Sequence, residues 1–199
     1  AVASTDGLIR SYAATQRSLS LVGSTRPAQG RQPFGVAWSP DNRLLAVGFS
    51  DSASVAVLNA DSLQLAYAPS TTGISGGSLN AVSWTRDGED LLAAGTWRGA
   101  DRLNLLRRWR QGGKGATSDE SVASNTVVGV HALTDGRVVY ASAEPSWGWL
   151  KNTSNGYTNQ SFGSALADFR SARNAFRLSR DGTTVAFPLN RTRGTGEVT

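Results

Sequence analysis

Val36-Ala37-Trp38-Ser39-Pro40-Asp41-Asn42-Arg43-Leu44-Leu45 decides the fold, because the chain repeats it three times. Its turn, Ser39-Pro40-Asp41-Asn42, returns as Thr85-Arg86-Asp87-Gly88, Leu133-Thr134-Asp135-Gly136 and Ser179-Arg180-Asp181-Gly182. The Asp residues are spaced by 46, 48 and 46 residues. A period of this length, built from short apolar runs, is the signature of a repeat architecture. Five residues before each Asp stand Val36, Val82, Val130 and Phe176, and three before it Trp38, Trp84, Ala132 and Leu178. The slot between holds Ala37, Ser83, His131 and Arg177. Apolar, variable, apolar is the period of a strand with one packed face. Four residues after each Asp come Leu45, Leu91, Val139 and Val185, the expected core positions of a second strand. Asp-Gly or Asp-Asn between two such runs is a hairpin signal in which both turn residues take conformations that Asp, Asn and Gly tolerate.

Each hairpin is followed by further strand-like runs. Ser54 to Leu58, Leu103 to Trp109 and Trp147 to Leu150 read as third strands, and Leu63 to Ala68 and Tyr157 to Ala165 as fourth ones. The opening residues, Ala1 to Tyr12, match the second half of a unit, so the chain begins inside one. With no Met anywhere and an end at Thr199, it reads as an excised fragment.

Four short antiparallel strands per unit resemble a β-propeller blade, and Val36 to Asp41 resembles the hairpin of the WD40 repeat. Ile9-Arg10-Ser11-Tyr12 and Leu106-Arg107-Arg108-Trp109 look like the strand that carries that family's Trp-Asp dipeptide. Here Ala13 and Arg110 stand where the Asp would be, and no Gly-His pair opens a unit. The family's Asp-His-Ser/Thr-Trp hydrogen-bond network therefore has no counterpart. More loosely, the phrasing is similar to propeller domains of multidomain bacterial WD40 proteins, which follow a caspase-like or TIR effector domain. The expected fold is thus all-β, an open partial propeller of about four four-stranded WD40-like blades. Its divisions are a partial blade 1–30, blades 31–76, 77–124 and 125–170, and a partial blade 171–199. Sheet edges exposed at both ends are expected to favour aggregation.

Composition narrows the function. No stretch approaches the ~18 apolar residues of a membrane span, and the N-terminus lacks the layout of a signal peptide; a cytoplasmic location is the expectation. Zero Cys removes disulfides and thiolate metal sites. His131 is the only His, in a strand slot that suits a structural side chain. Asp41, Asp87, Asp135 and Asp181 are accounted for by turn chemistry. No Gly-rich phosphate loop opens a helix. Neither a catalytic residue, a cofactor nor a metal is expected.

The net charge is +5, and of 20 basic residues only Lys114 and Lys151 are lysines. The densest cluster, Arg98, Arg102, Arg107, Arg108 and Arg110 with Trp97 and Trp109, has the composition of a stacking surface for nucleic acid. The plainer reading, an outer strand with solvated Arg on one face and Leu105 and Trp109 packed on the other, is preferred. In a WD40-like blade the loop between strands two and three shares a face with the loop entering the next blade. The resemblance places Trp97, Arg98, Arg102, Glu144 to Trp147, Arg170 and Arg173 there, with Arg26 and Arg31. Trp and Arg are the common binding hot spots, so Trp97, Arg98, Arg102, Trp147 and Arg173 are the candidate partner contacts. Trp38 and Trp84 are the expected core. The function this implies is a non-catalytic binding or scaffold module for a protein partner, with a small-molecule ligand as a further option and neither nucleic acid nor membrane favoured. The alternative is a propeller enzyme: a lactonase-like hydrolase with a carboxylate-bound metal, or a quinone-dependent dehydrogenase.

Overall fold

The structure is a computed structural model that describes residues 1–143, 146–153, 156–164, 176–179 and 183–186. Among the described residues seventeen strands form five antiparallel sheets, each a meander of consecutive strands. The first blade holds β1 (Val2–Ala3), β2 (Ile9–Ala14) and β3 (Leu19–Thr25). The second holds β4 (Pro33–Trp38), β5 (Leu44–Phe49), β6 (Val55–Asn59) and β7 (Leu65–Tyr67). The third holds β8 (Ala81–Trp84), β9 (Asp90–Arg98), β10 (Asn104–Arg110) and β11 (Thr117–Ala123). The fourth holds β12 (Val127–Ala132), β13 (Val138–Ser142), β14 (Ser146–Thr153) and β15 (Gly156–Ser164). The fifth is the hairpin β16 (Arg177–Leu178) and β17 (Val185–Ala186).

The core lies between blades. Ile9 of the first blade packs with Leu45, Val47 and Phe49 of the second. Ala46, Val55 and Val57 of the second meet Val82, Trp84, Leu91 and Trp109 of the third. Leu92 and Leu106 of the third meet Val130, Val138 and Tyr140 of the fourth. Val139 and Ala141 of the fourth meet Phe176 of the fifth. Every apolar cluster among the described residues joins sequence neighbours, so the blades form an arc of stacked sheets. The innermost strands approach so closely that a Cβ at Gly35 would collide with the Asn80 backbone carbonyl. Only glycine permits that contact.

The hairpins explain the repeat chemically, and differ from expectation in their turn. In the three described turns only the residue after the Asp is left-handed: Asn42 at φ 59°, Gly88 at 76° and Gly136 at 82°. The Asp instead pins the turn through its carboxylate. Ser39 Oγ donates to Asp41 (2.6 Å) and accepts from Leu44 N (2.9 Å). Thr85 Oγ1 does the same with Asp87 (2.6 Å) and Asp90 N (2.9 Å), and Ser179 Oγ accepts from Thr184 N (2.9 Å). In the fourth blade Leu133 occupies the hydroxyl position, and the loop is one residue shorter. It closes from Leu133 N to the Arg137 carbonyl (2.8 Å), where Ser39 and Thr85 close onto Leu44 and Asp90. A type I turn with a left-handed fourth residue suits such a three-residue loop. The deletion corrects one assignment. Ala132 pairs with Val138, as Trp38 pairs with Leu45 and Trp84 with Leu91, so Val138 rather than Val139 holds the repeat position. A one-residue shift turns a side chain to the other face, and Val139 packs toward the fifth blade.

Trp38 is a second correction. It is 39% exposed, whereas Trp84 is 6% exposed. Trp84 Nε1 donates to the carbonyl of Ala37 on β4, the innermost strand of the preceding blade (3.1 Å). Trp38 would need the same strand in the first blade, whose inner edge is the two-residue β1. Val36 is half-buried for the same reason, while Val82, Val130 and Phe176 are 8%, 2% and 3% exposed.

Candidate functional site

The loops between second and third strands include a hydrogen-bonded turn at residues 99–103, which repeats the bonding of residues 4–8 in the first blade, where Gly7 holds the left-handed position that Arg102 takes here. Gly99 N donates to the Leu103 carbonyl (2.9 Å) and Arg102 N to the Gly99 carbonyl (3.1 Å). Asp101 caps Leu103 N (3.0 Å) and accepts from Ser121 Oγ on β11 (2.6 Å). That last hydrogen bond ties the turn to the outer strand. Arg102 sits at its tip with φ 64°, exposed, and Leu103 beside it is 36% exposed. Leu63 also has positive φ (55°), but its side chain is buried in the core and burial offsets the backbone cost. Arg102 has no such compensation, and a non-glycine residue there costs about 1 kcal/mol.

Arg98, at the end of β9, is exposed. Its Nε donates to Asn104 Oδ1 (3.1 Å) and its Nη2 to the Ser124 carbonyl (3.5 Å). Asn104 is buried and donates to the Gly95 carbonyl (2.6 Å), so it anchors the guanidinium to the strand.

Trp97 is not part of this surface. It is 3% exposed. The sequence suggests a strand ending at Gly95, but β9 runs to Arg98, and Trp97 falls in phase with Leu91 and Ala93 on the face toward the second blade. Arg107 lies over its ring at 4.8 Å and over Trp109 at 5.9 Å. Arg107 is 2% exposed, a correction to the expectation of a solvated side chain. It is in phase with Leu105 and Trp109, and its charge is met by Asp119 through two hydrogen bonds (2.7 and 2.8 Å) and by the Thr72 carbonyl (2.8 Å). Trp109 Nε1 donates to the Ser70 carbonyl (2.7 Å). The Trp97-Arg107-Trp109 group therefore clamps the connection between second and third blades onto β10. Arg108 is buried as well, paired with Asp90 at 2.6 Å. A buried charge requires such a partner.

Trp147 is on strand β14, half-buried with Trp149 against the cluster of Leu133, Val139 and Phe176. Trp149 Nε1 donates to Gln160 Oε1 (3.1 Å), and Arg137 lies 4.1 Å over its ring. Trp147 thus packs at the boundary of fourth and fifth blades rather than extending from a loop. Arg173 and Arg170, with Glu144 and Pro145, lie outside the described residues. Arg98 thus lies on the side of the sheet opposite Trp97, and Arg102 is exposed at the turn that follows β9. The structure adds Leu103, which reads in the sequence as the start of the third strand but precedes β10.

The inner strands line a channel of about 440 Å³, with Gly35, Asn80, His131 and Arg177 among its walls. His131 stacks on Phe176 with ring centroids 5.4 Å apart. Burial pushes its imidazole pKa down, a hydrogen bond with the Phe176 backbone opposes this, and Arg177 adds to the lowering. Among the described residues no three His, Cys, Asp or Glu side chains are placed to hold a metal ion. On the opposite face, the Asp hairpins border two crevices. One, of about 310 Å³ between second and third blades, is walled by Trp84, Tyr67 and Leu44. The other, of about 540 Å³ between third and fourth blades, is walled by Asp90, Arg108 and Ala132. Hydrogen bonds from Ser39 and Thr85 hold the Asp41 and Asp87 carboxyls below the usual carboxylate range.

No protein-family model matches the chain, and no curated protein does. Solved structures do. The chain is similar to one from the crystal structure of the mitotic checkpoint complex at a TM-score of 0.70 and 18% identity, over 94% of its own length and 54% of the other. It is similar to the RRP9 WD40 repeats at 0.64 and 17%, over 79% and 46%. It is also similar to a chain of the hydrazine synthase of Kuenenia stuttgartiensis at 0.61 and 16%, over 81% and 43%. The chain thus spans about half the length of the structures it matches. At these identities the likeness is one of fold: a WD40-like β-propeller arc.

Proposed function

We propose that the chain is a non-catalytic binding module, part of a larger cytoplasmic protein, that holds a protein partner through its loop face. The observation that carries this reading is the 99–103 turn. Three of its N–H groups are hydrogen-bonded within the turn, it is tied to β11 by Asp101 and Ser121, and it presents Arg102 and Leu103 outward at a backbone cost that no burial offsets. An exposed Arg beside an exposed Leu, with Arg98 nearby on β9, suits a partner surface offering a carboxylate next to an apolar contact. The fold supports the same kind of role, since WD40-like propellers serve widely as interaction scaffolds, and fold by itself assigns no function. A protein is favoured over nucleic acid because Arg107 and Arg108, two of the five clustered arginines, are engaged in internal ion pairs. That removes them from any continuous phosphate-binding stripe. No helix among the described residues is long and apolar enough to cross a membrane.

Affinity capture from the source cells tests this, comparing the parent chain, the Arg102→Ala/Leu103→Ser variant, and Arg17→Ala as an exposed control. The double variant should lose a protein that the parent and the control both retain, by more than about tenfold, since truncating a central hot spot costs about 2 kcal/mol or more. Retention of the same proteins by all three would overturn the assignment.

A further inference from the structure

The two hairpin-face crevices occupy equivalent places in the repeat, and three substitutions distinguish them. Between second and third blades, Leu44 and Val57 face Trp84. One blade on, strand register places Asp90 at the position of Leu44, Arg108 at that of Val57, and Ala132 at that of Trp84. An apolar pair closed by an indole becomes an ion pair facing a methyl group. The crevice enlarges accordingly, from about 310 to about 540 Å³. The shorter Leu133 hairpin, which also walls the larger crevice, adds to the gap.

We infer that the crevice between the third and fourth blades is a binding pocket for a planar aromatic group of indole size, entering where the repeat's own tryptophan is missing. The size follows from the neighbouring crevice, which an indole occupies. Trp84 closes its own crevice with its ring N–H on the carbonyl of Ala37 at 3.1 Å, whereas at Ala37's repeat position in the third blade the Ser83 hydroxyl accepts from Ala132 N (3.3 Å). The charges select a neutral guest: Arg86, Arg108 and Arg110 are balanced by Asp87, Glu89 and Asp90, and Arg108 and Asp90 already neutralise each other. A guanidinium-carboxylate plane in the wall favours a flat π-system over an aliphatic guest. Asp90 and Arg98 are the two ends of β9, about 26 Å apart at strand rise, so this pocket is separate from the Arg102 turn and does not depend on it.

The test uses indole and N-acetyltryptophanamide as probes, titrated by ligand-observed NMR against the parent chain, Ala132→Leu and Ala132→Trp. Saturable millimolar or tighter binding to the parent is expected. Ala132→Leu, the residue the fifth blade carries at this position (Leu178), should weaken it. Ala132→Trp should weaken it by more than about tenfold while melting no lower than the parent, because its own ring fills the crevice. Binding of both probes points to a partner's tryptophan side chain, and binding of indole alone to a small molecule. Absence of saturable binding to the parent overturns the inference, as does equal binding to Ala132→Leu or to a folded Ala132→Trp.

Discussion

Trp38 and Trp84 hold the same repeat position, yet replacing each by Ala should have unequal effects. Trp84 is 6% exposed, packs among Val57, Leu91 and Trp109, and donates a hydrogen bond to Ala37. Truncating a buried Trp costs about 3–5 kcal/mol through lost burial and the cavity left behind. The stranded Ala37 carbonyl adds about 1 kcal/mol. A total near 4–5 kcal/mol lowers the melting temperature of a chain this size by roughly 10–15 °C. Trp38 is 39% exposed, so its truncation leaves a depression open to water rather than a closed cavity. It should cost about 1 kcal/mol. Urea denaturation followed by far-UV circular dichroism reads both variants against the parent without relying on the fluorescence of the residues removed. Equal losses, or a larger loss for Trp38→Ala, would refute the placement of the first blade's inner edge and with it the account of inter-blade packing.

Asp119→Ala should destabilise by about 2 kcal/mol, because it leaves the buried Arg107 guanidinium without its carboxylate; the exposed Asp61→Ala is the urea-denaturation control and should cost nothing measurable. His131, whose folded pKa lies below its unfolded value near 6.5, resists a proton that the unfolded chain accepts. Its contribution is complete above pH ~6.5 and lost as pH falls through the folded value, so the urea midpoint should drop from pH 8 to pH 5.5 by more in the parent than in His131→Gln. Leu19, Leu21 and Val22 on β3 are 72%, 58% and 63% exposed. Such a patch invites self-association, and Leu19→Lys/Leu21→Lys should lower the apparent mass in concentration-dependent light scattering; an unchanged mass would remove β3 from the contact.

The four hairpins were legible because strand period and turn chemistry are local. Asp, a left-handed Gly or Asn, and flanking apolar alternation need no knowledge of the rest of the chain. Errors arose where a neighbour decides. Trp38 and Trp84 sit in similar local sequences, and only the strand that each meets in the preceding blade separates exposed from buried. The Val138 and Val139 assignment failed because a one-residue deletion in the Leu133 turn leaves the Asp-Gly phrase intact. Gly95 suggests a strand end and so a loop position for Trp97, although the period-two phase of Trp97 with Leu91 and Ala93 is that of a strand residue. Arg107 shared its phase with Leu105 and Trp109, but its burial depends on carbonyls of Ser70 and Thr72 more than thirty residues away. No local pattern announces that compensation. Arg102 is legible as a loop residue, whereas Arg98 is the last residue of β9. Leu103 reads as a strand residue because it opens an apolar run.

The most direct test of the loop-face account is hydrogen–deuterium exchange on the chain with and without the protein that affinity capture identifies. The account predicts slowed exchange in the peptide spanning residues 99–103 and at the adjoining end of β9 when the partner is bound. Slowed exchange confined to other segments, with the 99–103 turn unchanged at saturating partner, would contradict it.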